Sequence, residues 1–175
     1  MGMKIKINPL DERSIDNAIE MIDMYTHRIE SKKQELITKL GEIGLSVLEL
    51  RFSNFYYAGE NDIKVHIDVE GYDKVVITAQ GKALCFIEFG TGVLFTRDQN
   101  PYAKDFGFER GTYGKGRGSN PKGWTYYGEQ GTAGEAVPGK PGVYRTYGNS
   151  SANAFPEAVE HMLSMILVIA KEVFR

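Results

Sequence analysis

Apolar residues recur at helical spacing in the N-terminal part of the chain. An aliphatic residue stands at every seventh position, as Ile15, Ile22, Ile29, Leu36 and Ile43. This period predicts an α-helix with one apolar face. Asn8 and Pro9 suit the N-cap and the first helical position. Gly41 and Gly44 mark possible breaks near its end.

The predicted N-terminal helix is long for a domain of this size. A helix over 9–40 would measure about 48 Å at ~1.5 Å per residue. A compact domain of 175 residues is about 40 Å across. We therefore expect this helix either to kink or to overhang the domain and meet another surface.

Alternating spacing replaces the helical period after residue 62. Apolar Ile63, Val65, Ile67 and Val69 alternate with polar or charged residues. This pattern predicts a strand, and a turn at 71–73 returns the chain as a second strand of a hairpin. The apolar segment 83–89, which stops at Gly90, fits a strand or a short buried helix equally well.

The chain ends in a second amphipathic pattern that predicts a helix capped by Asn153. Together these elements predict an α+β fold. In this fold a long N-terminal helix and a C-terminal helix pack on a small antiparallel β-sheet that carries a long Gly/aromatic loop insertion. The expected single domain, 1–175, consists of a helical region (8–56), the sheet (62–90), the loop (91–148) and the C-terminal helix (153–174).

The loop has an unusual composition. Residues 90–148 hold 14 of the 20 glycines and 4 of the 6 prolines, and also 10 of the 20 aromatic residues. Disordered segments are rich in glycine but poor in aromatics. We therefore expect a loop that becomes ordered against a partner surface.

The charge of the loop is mixed. Residues 90–148 carry eight basic and five acidic residues, whereas the whole chain has a net charge of -2. Tyrosine, tryptophan and arginine dominate protein–protein interfaces, and they also stack on single-stranded nucleic acid. The mixed charge favours a protein interface, with a nucleic-acid-binding module as the alternative. The expected partner-interface residues are Phe95, Phe106, Phe108, Tyr113, Arg117, Trp124, Tyr126 and Tyr127.

The residues that most often carry catalysis or bind metals are sparse. Cys85 is the single cysteine, and the three histidines stand in three different segments. We therefore predict no catalytic, cofactor or metal site, and no enzyme. Glu88 is the one acidic residue in an apolar segment. It is either a general acid or, as we expect, a residue that pairs with an arginine or the backbone.

A membrane role is not expected either. The longest apolar run near the C-terminus, 165–170, is far shorter than the ~20 residues of a spanning helix. We expect no membrane partner and synthesis in a reducing cytoplasm, because one cysteine cannot form an internal disulfide.

Two short segments, Phe86-Ile87-Glu88-Phe89-Gly90-Thr91 and Asn153-Ala154-Phe155-Pro156-Glu157-Ala158, carry a resemblance. With the order of elements over 10–174, the chain resembles the head–tail joining and tail-completion proteins of long-tailed bacteriophages, often labelled minor tail components or neck proteins. In that family an apolar-Glu-aromatic-Gly-Thr segment ends the sheet. Two departures are Ala154, where the family often has proline, and the longer loop.

The resemblance implies assembly rather than catalysis. It implies a ring of copies, often sixfold, at the neck or head-proximal end of the tail. It further implies contacts with neck or connector proteins and with tail-tube or terminator proteins, and a position near packaged DNA. The expected location is the virion, after assembly in the cytoplasm of the bacterial host.

Overall fold

The computed structural model describes residues 4–57, 60–92, 100–108, 123–130 and 134–175. It has an α+β fold, as predicted, and these residues form three helices and small antiparallel sheets. In chain order the elements are α1 (Glu12–Ser53), β1 (Lys64–Glu70), β2 (Lys74–Gln80), α2 (Leu84–Phe89), β3 (Thr91–Gly92), β4 (Trp124–Tyr127), β5 (Glu135–Ala136), β6 (Val143–Thr146), β7 (Gly148–Asn149) and α3 (Ala154–Val173).

The first helix begins later than the sequence predicts. Asp11 is the N-cap, and its side chain accepts a hydrogen bond from the backbone N–H of Arg13. The prediction of Asn8 as the N-cap was wrong, because its side chain closes a turn by accepting from the N–H of Leu10. Both side chains carry an oxygen that can accept a hydrogen bond from a backbone N–H. The turn at Pro9 and Leu10 places the start of the helix after Asp11.

The first helix is continuous past both glycines. Its 42 residues extend for about 63 Å at ~1.5 Å per residue. Gly41 and Gly44 are buried inside it, so the breaks expected there are absent. A Cβ on Gly41 would lie 2.6 Å from the Val75 side chain, and one on Gly44 would lie 2.7 Å from Met162. The glycines therefore let the hairpin and α3 approach the helix closely.

The hairpin and α3 cover only the C-terminal part of α1. β1 and β2 pair antiparallel, with Ile67 opposite Ile77, as the alternating pattern predicts. The hairpin turn reaches α1 at Gln34, whose side chain donates to the carbonyl of Gly71 at 3.3 Å. α3 ends beside the same part of α1, where the Lys32 ammonium donates a hydrogen bond to the carbonyl of Val173.

Within the residues that the structure describes, the N-terminal part of α1 therefore extends past the hairpin turn and the end of α3, although Ala18 within it is buried. We call residues 12–31 the projecting segment. They span about 30 Å at ~1.5 Å per residue. Of the two outcomes expected for this helix, kink or overhang, the structure has the overhang.

The segment 83–89 forms the short helix α2 at the centre of the fold. Ile87 is fully buried in it. The main core is a cluster contributed by α1, α2 and the start of α3, made of Leu48, Phe52, Ala83, Ile87, Ala152, Ala154 and Ala158. Of the strand and the short helix that the sequence allowed for 83–89, the structure has the helix, which buries Ile87, Glu88 and Phe89 and leaves Cys85 exposed.

Residues 91–148, the arm, are more structured than the expected loop. Its two ends pair as β3 and β7, and within it β4, β6 and β5 form a three-stranded antiparallel sheet. Gly92 and Gly148 have positive φ, and a Cβ at either would collide with the backbone of the opposite strand. The pairing of β3 with β7 therefore holds the two ends of the arm together.

Overpacking at Gly41 should show whether the close approach of the hairpin supports the fold. We expect Gly41→Leu to lower the free energy of unfolding by about 1–3 kcal/mol, because the new side chain must displace Val75 and Ile67. Urea denaturation followed by circular dichroism measures this. Ser31→Leu, at an exposed position of the same helix, is the control. Equal stability of the two variants would contradict close packing at Gly41.

Candidate interaction surfaces

A buried carboxylate joins α2, the arm and α3. Glu88 is 3% exposed. One of its oxygens accepts from the backbone N–H of Ala154 at 2.8 Å. The other accepts from the N–H of Phe155 at 3.2 Å and from the side-chain amide of Asn100 at 2.7 Å. Glu88 therefore satisfies backbone donors that the start of a helix leaves without intrahelical partners.

This contact replaces the side-chain cap predicted for α3. Asn153 has a left-handed conformation, with φ of 50°, and its side chain makes no capping hydrogen bond. Its backbone N–H instead donates to the carbonyl of Glu88 at 3.3 Å. Asn153 is the N-cap residue of α3, as predicted, but its side chain does not cap the helix. Glu88, far away in sequence, supplies the acceptor instead.

Burial dominates the electrostatics of this carboxyl. Burial raises the pKa of Glu88, and it outweighs the hydrogen bonds from Ala154, Phe155 and Asn100 and the charge of Arg51, which all lower it. Arg51 itself pairs with Glu157 in the first turn of α3. The expectation that Glu88 pairs with the backbone is confirmed, and its hydrogen bonds hold the start of α3 in place.

Part of the arm packs on α2 beside Glu88. Phe106 stacks on Phe89 with ring centroids 4.9 Å apart. Phe108 is 6% exposed and lies against Phe86 and Phe89. The expectation of a partner contact at Phe108 is therefore corrected, because this ring belongs to an aromatic cluster within its own chain.

The other expected interface residues are spread over the arm. Phe106 is 57% exposed beside its stacking contact, and Tyr127 is 83% exposed on β4. Trp124 and Tyr126 are half-buried on the same strand. The positions of Phe95, Tyr113 and Arg117 lie outside the described residues.

The outer side of α3 carries an aliphatic patch, the α3 patch, that was not predicted from the sequence. Val159, Leu163, Ile166 and Leu167 point away from the core on neighbouring turns. Leu163 is 63% and Leu167 is 70% exposed. The apolar residues of 162–170 surround more of the helix than one core-facing stripe needs, and this width was the available signal.

The α3 patch adjoins a groove over α1. The groove, about 470 Å³ in volume, lies between β2 and α3, and Val159 belongs to both features. Apolar side chains such as Val75, Phe155 and Met162 line most of it. A contiguous exposed apolar surface of this kind is typical of a binding site for another protein.

The projecting segment exposes a second apolar surface. We call it the isoleucine stripe. Its members are each between 37% and 53% exposed, and they are Ile15, Ile19, Ile22, Tyr25 and Ile29. The seven-residue pattern thus contains three of these five residues, Ile15, Ile22 and Ile29, but in the projecting segment the side chains are partly exposed.

Neither a metal centre nor a spanning helix is found in the part of the chain that the structure describes. None of the His, Cys, Asp and Glu side chains there form a group of three or more that could hold a metal ion. No helix in the same residues combines the length and hydropathy needed to cross a membrane. Comparison with protein-family models, curated proteins and solved structures gave no match for this chain.

Removing the Glu88 carboxylate should destabilise the fold. Glu88→Ala leaves the N–H groups of Ala154 and Phe155 without these acceptors, and we expect a loss of about 2 kcal/mol in the free energy of unfolding. Glu88→Gln keeps one acceptor oxygen and should lose less. Urea denaturation measures both, with the exposed substitution Glu20→Ala as control. A neutral Glu88→Ala substitution would contradict the capping role.

The stability of the wild-type chain should fall as pH rises through the titration of Glu88. Its raised pKa means that the folded chain keeps a proton which the unfolded chain loses near the ordinary value of about 4.3. The free energy of unfolding therefore decreases from that pH up to the raised pKa and then levels off. Urea midpoints from pH 4 to 8 test this against Glu88→Gln, which lacks the proton. Parallel profiles would contradict the raised pKa.

Proposed function

We propose that this chain is a structural virion protein of a tailed phage or prophage. Copies form a ring at the neck or the head-proximal end of the tail and join head to tail. The observation that carries the proposal is the exposure of two separate apolar surfaces, the α3 patch and the isoleucine stripe, on one chain.

Two different surfaces are what a ring requires. In a closed ring each subunit meets one neighbour through one surface and the other neighbour through a different surface. The isoleucine stripe lies N-terminal to residue 32 of α1, whereas the α3 patch lies beside the body of the domain. Each copy can therefore meet its neighbours both along the projecting segment and at the body. The exposed rings of Phe106 and Tyr127 are left for neck, connector or tail-tube partners.

The two motif segments that resemble the head–tail joining family form one physical unit here. Glu88 of the first segment binds the backbone of Ala154 and Phe155 in the second. Asn149 adds a hydrogen bond to the carbonyl of Phe86 at 2.9 Å. Two short motifs far apart in sequence thus depend on each other, which supports reading them as a shared structural signature.

A charge placed on the α3 patch should weaken self-assembly. We expect the purified chain to form multimers at about 10–100 µM, in the range of weak assembly contacts, and Leu163→Glu to shift them toward monomer because it puts a carboxylate into an apolar contact. Native mass spectrometry and light scattering measure this. Ser164→Glu adds the same side chain one residue away, outside the patch, and should assemble normally.

A wild-type chain that stays monomeric at all accessible concentrations, alone or with neighbouring neck and tail proteins, would overturn the proposal. The alternative, a nucleic-acid-binding module, makes a different prediction. Micromolar binding of a labelled single-stranded oligonucleotide, steeply weakened by salt and lost in Trp124→Ala, would favour that function.

A further inference from the structure

The projecting segment carries opposite charges on its two flanks. Successive residues of a helix are about 100° apart, so every side chain can be placed relative to Ile22. On one side, about 80–120° from Ile22, stands the acidic flank, which consists of Glu12, Asp16, Asp23 and Glu30. At about the same angle on the other side stands the basic flank, which consists of Arg28 and, directly after the projecting segment, Lys32.

The isoleucine stripe lies between the two flanks. It occupies an arc of about 120°, with Ile19 at the edge next to the acidic flank and Tyr25 at the edge next to the basic flank. An apolar seam bordered by charged positions is the pattern of helices that pack side by side, where the border charges select partner and orientation.

Lys32 of the basic flank contacts the end of α3. The Lys32 ammonium donates to the carbonyl of Val173 and lies 5.7 Å from the centre of the Phe174 ring. One turn earlier, Arg28 is exposed. Its guanidinium can bind a carboxylate through two parallel hydrogen bonds. Asp16 and Asp23 are exposed on the opposite flank, so the matching groups are accessible on the same chain.

We infer that the projecting segments of neighbouring copies pack side by side and parallel, with the acidic flank of one copy against the basic flank of the next. This inference rests on the proposed ring. Rotation about a single ring axis relates all copies, so a helix that runs along the axis has the same direction in each. Every helix then presents its acidic flank to one neighbour and its basic flank to the other.

The charge pattern selects this arrangement over an antiparallel two-fold dimer. In an antiparallel pair related by a two-fold axis, each flank meets the same flank of the other copy. Glu12, Asp16, Asp23 and Glu30 would then face a second acidic flank, and like charges across a contact are destabilising. In the parallel ring Asp23 of one copy instead lies on the side that faces Arg28 of its neighbour.

The apolar edges supply most of the contact. Ile19 of one copy packs beside Tyr25 of the next, and both side chains are exposed in the single chain. An exposed ion pair contributes only about 0.2–1 kcal/mol. The charges therefore determine which flanks meet, whereas burial of the stripe edges holds the copies together.

Charge reversal tests this contact. In Asp23→Lys a lysine faces Arg28, and in Arg28→Glu a glutamate faces Asp23, so each variant should need at least about threefold more protein for half-assembly at low salt. An equal mixture of the two variants should recover wild-type assembly, because each reversed flank then meets an opposite charge. The double variant Asp23→Lys/Arg28→Glu should recover it as well.

Glu20→Lys is the matched control. It makes the same change of charge at an exposed position on the far side of the helix from the stripe, and it should assemble like wild type. Native mass spectrometry at low salt gives the assembled fraction, and circular dichroism shows that α1 remains helical. Added salt of about 0.5 M should reduce the differences between variants.

The outcomes separate this inference from the ring itself. Loss of assembly in the single variants with recovery in the mixture supports parallel packing. Rings that form equally well in Asp23→Lys, Arg28→Glu and wild type overturn the flank contact and leave the ring standing. Recovery in the double variant without recovery in the mixture also overturns it, since an intermolecular contact requires both. A wild-type chain that never assembles overturns both proposals.

Discussion

The fold depends on one buried carboxylate. Glu88 lies where α2, the arm and α3 meet, and its two oxygens accept hydrogen bonds from Asn100 and from the first residues of α3. Burial of a carboxyl group is costly unless its acceptors are satisfied, and here each oxygen has at least one donor. The cost of burial is offset by hydrogen bonds from the backbone N–H groups of Ala154 and Phe155. At the start of a helix these groups have no partner within the helix. The direction of α3 relative to α1 follows from this junction.

The periodic parts of the sequence were sufficient to predict the long helices and the β1–β2 hairpin. The seven-residue spacing from Ile15 to Ile43 predicted α1, and alternation from Ile63 to Val69 predicted the hairpin. Both patterns are local, since the spacing reflects which side chains share a face. Even so, the helix boundary was missed, because Asn8 and Asp11 are both competent caps and only the turn between them chooses.

The junction itself could not be predicted from local pattern. Glu88 and Ala154 are 66 residues apart, and nothing in either segment states that one caps the other. The arm was equally obscure, since its strands are two to four residues long, too short to show alternation. Gly41 and Gly44 were misread for the same reason: a glycine that permits close packing looks identical in sequence to one that ends a helix.

The projecting segment is physically unusual in a way that bears on function. A helix in a protein normally draws most of its stability from packing of its apolar face. Here most of the apolar face is exposed, although Ala18 within it is buried. The exposed part includes four isoleucines, Ile15, Ile19, Ile22 and Ile29, whose branched side chains are only moderate helix formers. Continuity with the packed half of α1 nucleates the helix, but it does not explain the stripe. A partly exposed apolar surface of this length is costly in water, and this cost supports the proposed packing of the segment against another copy.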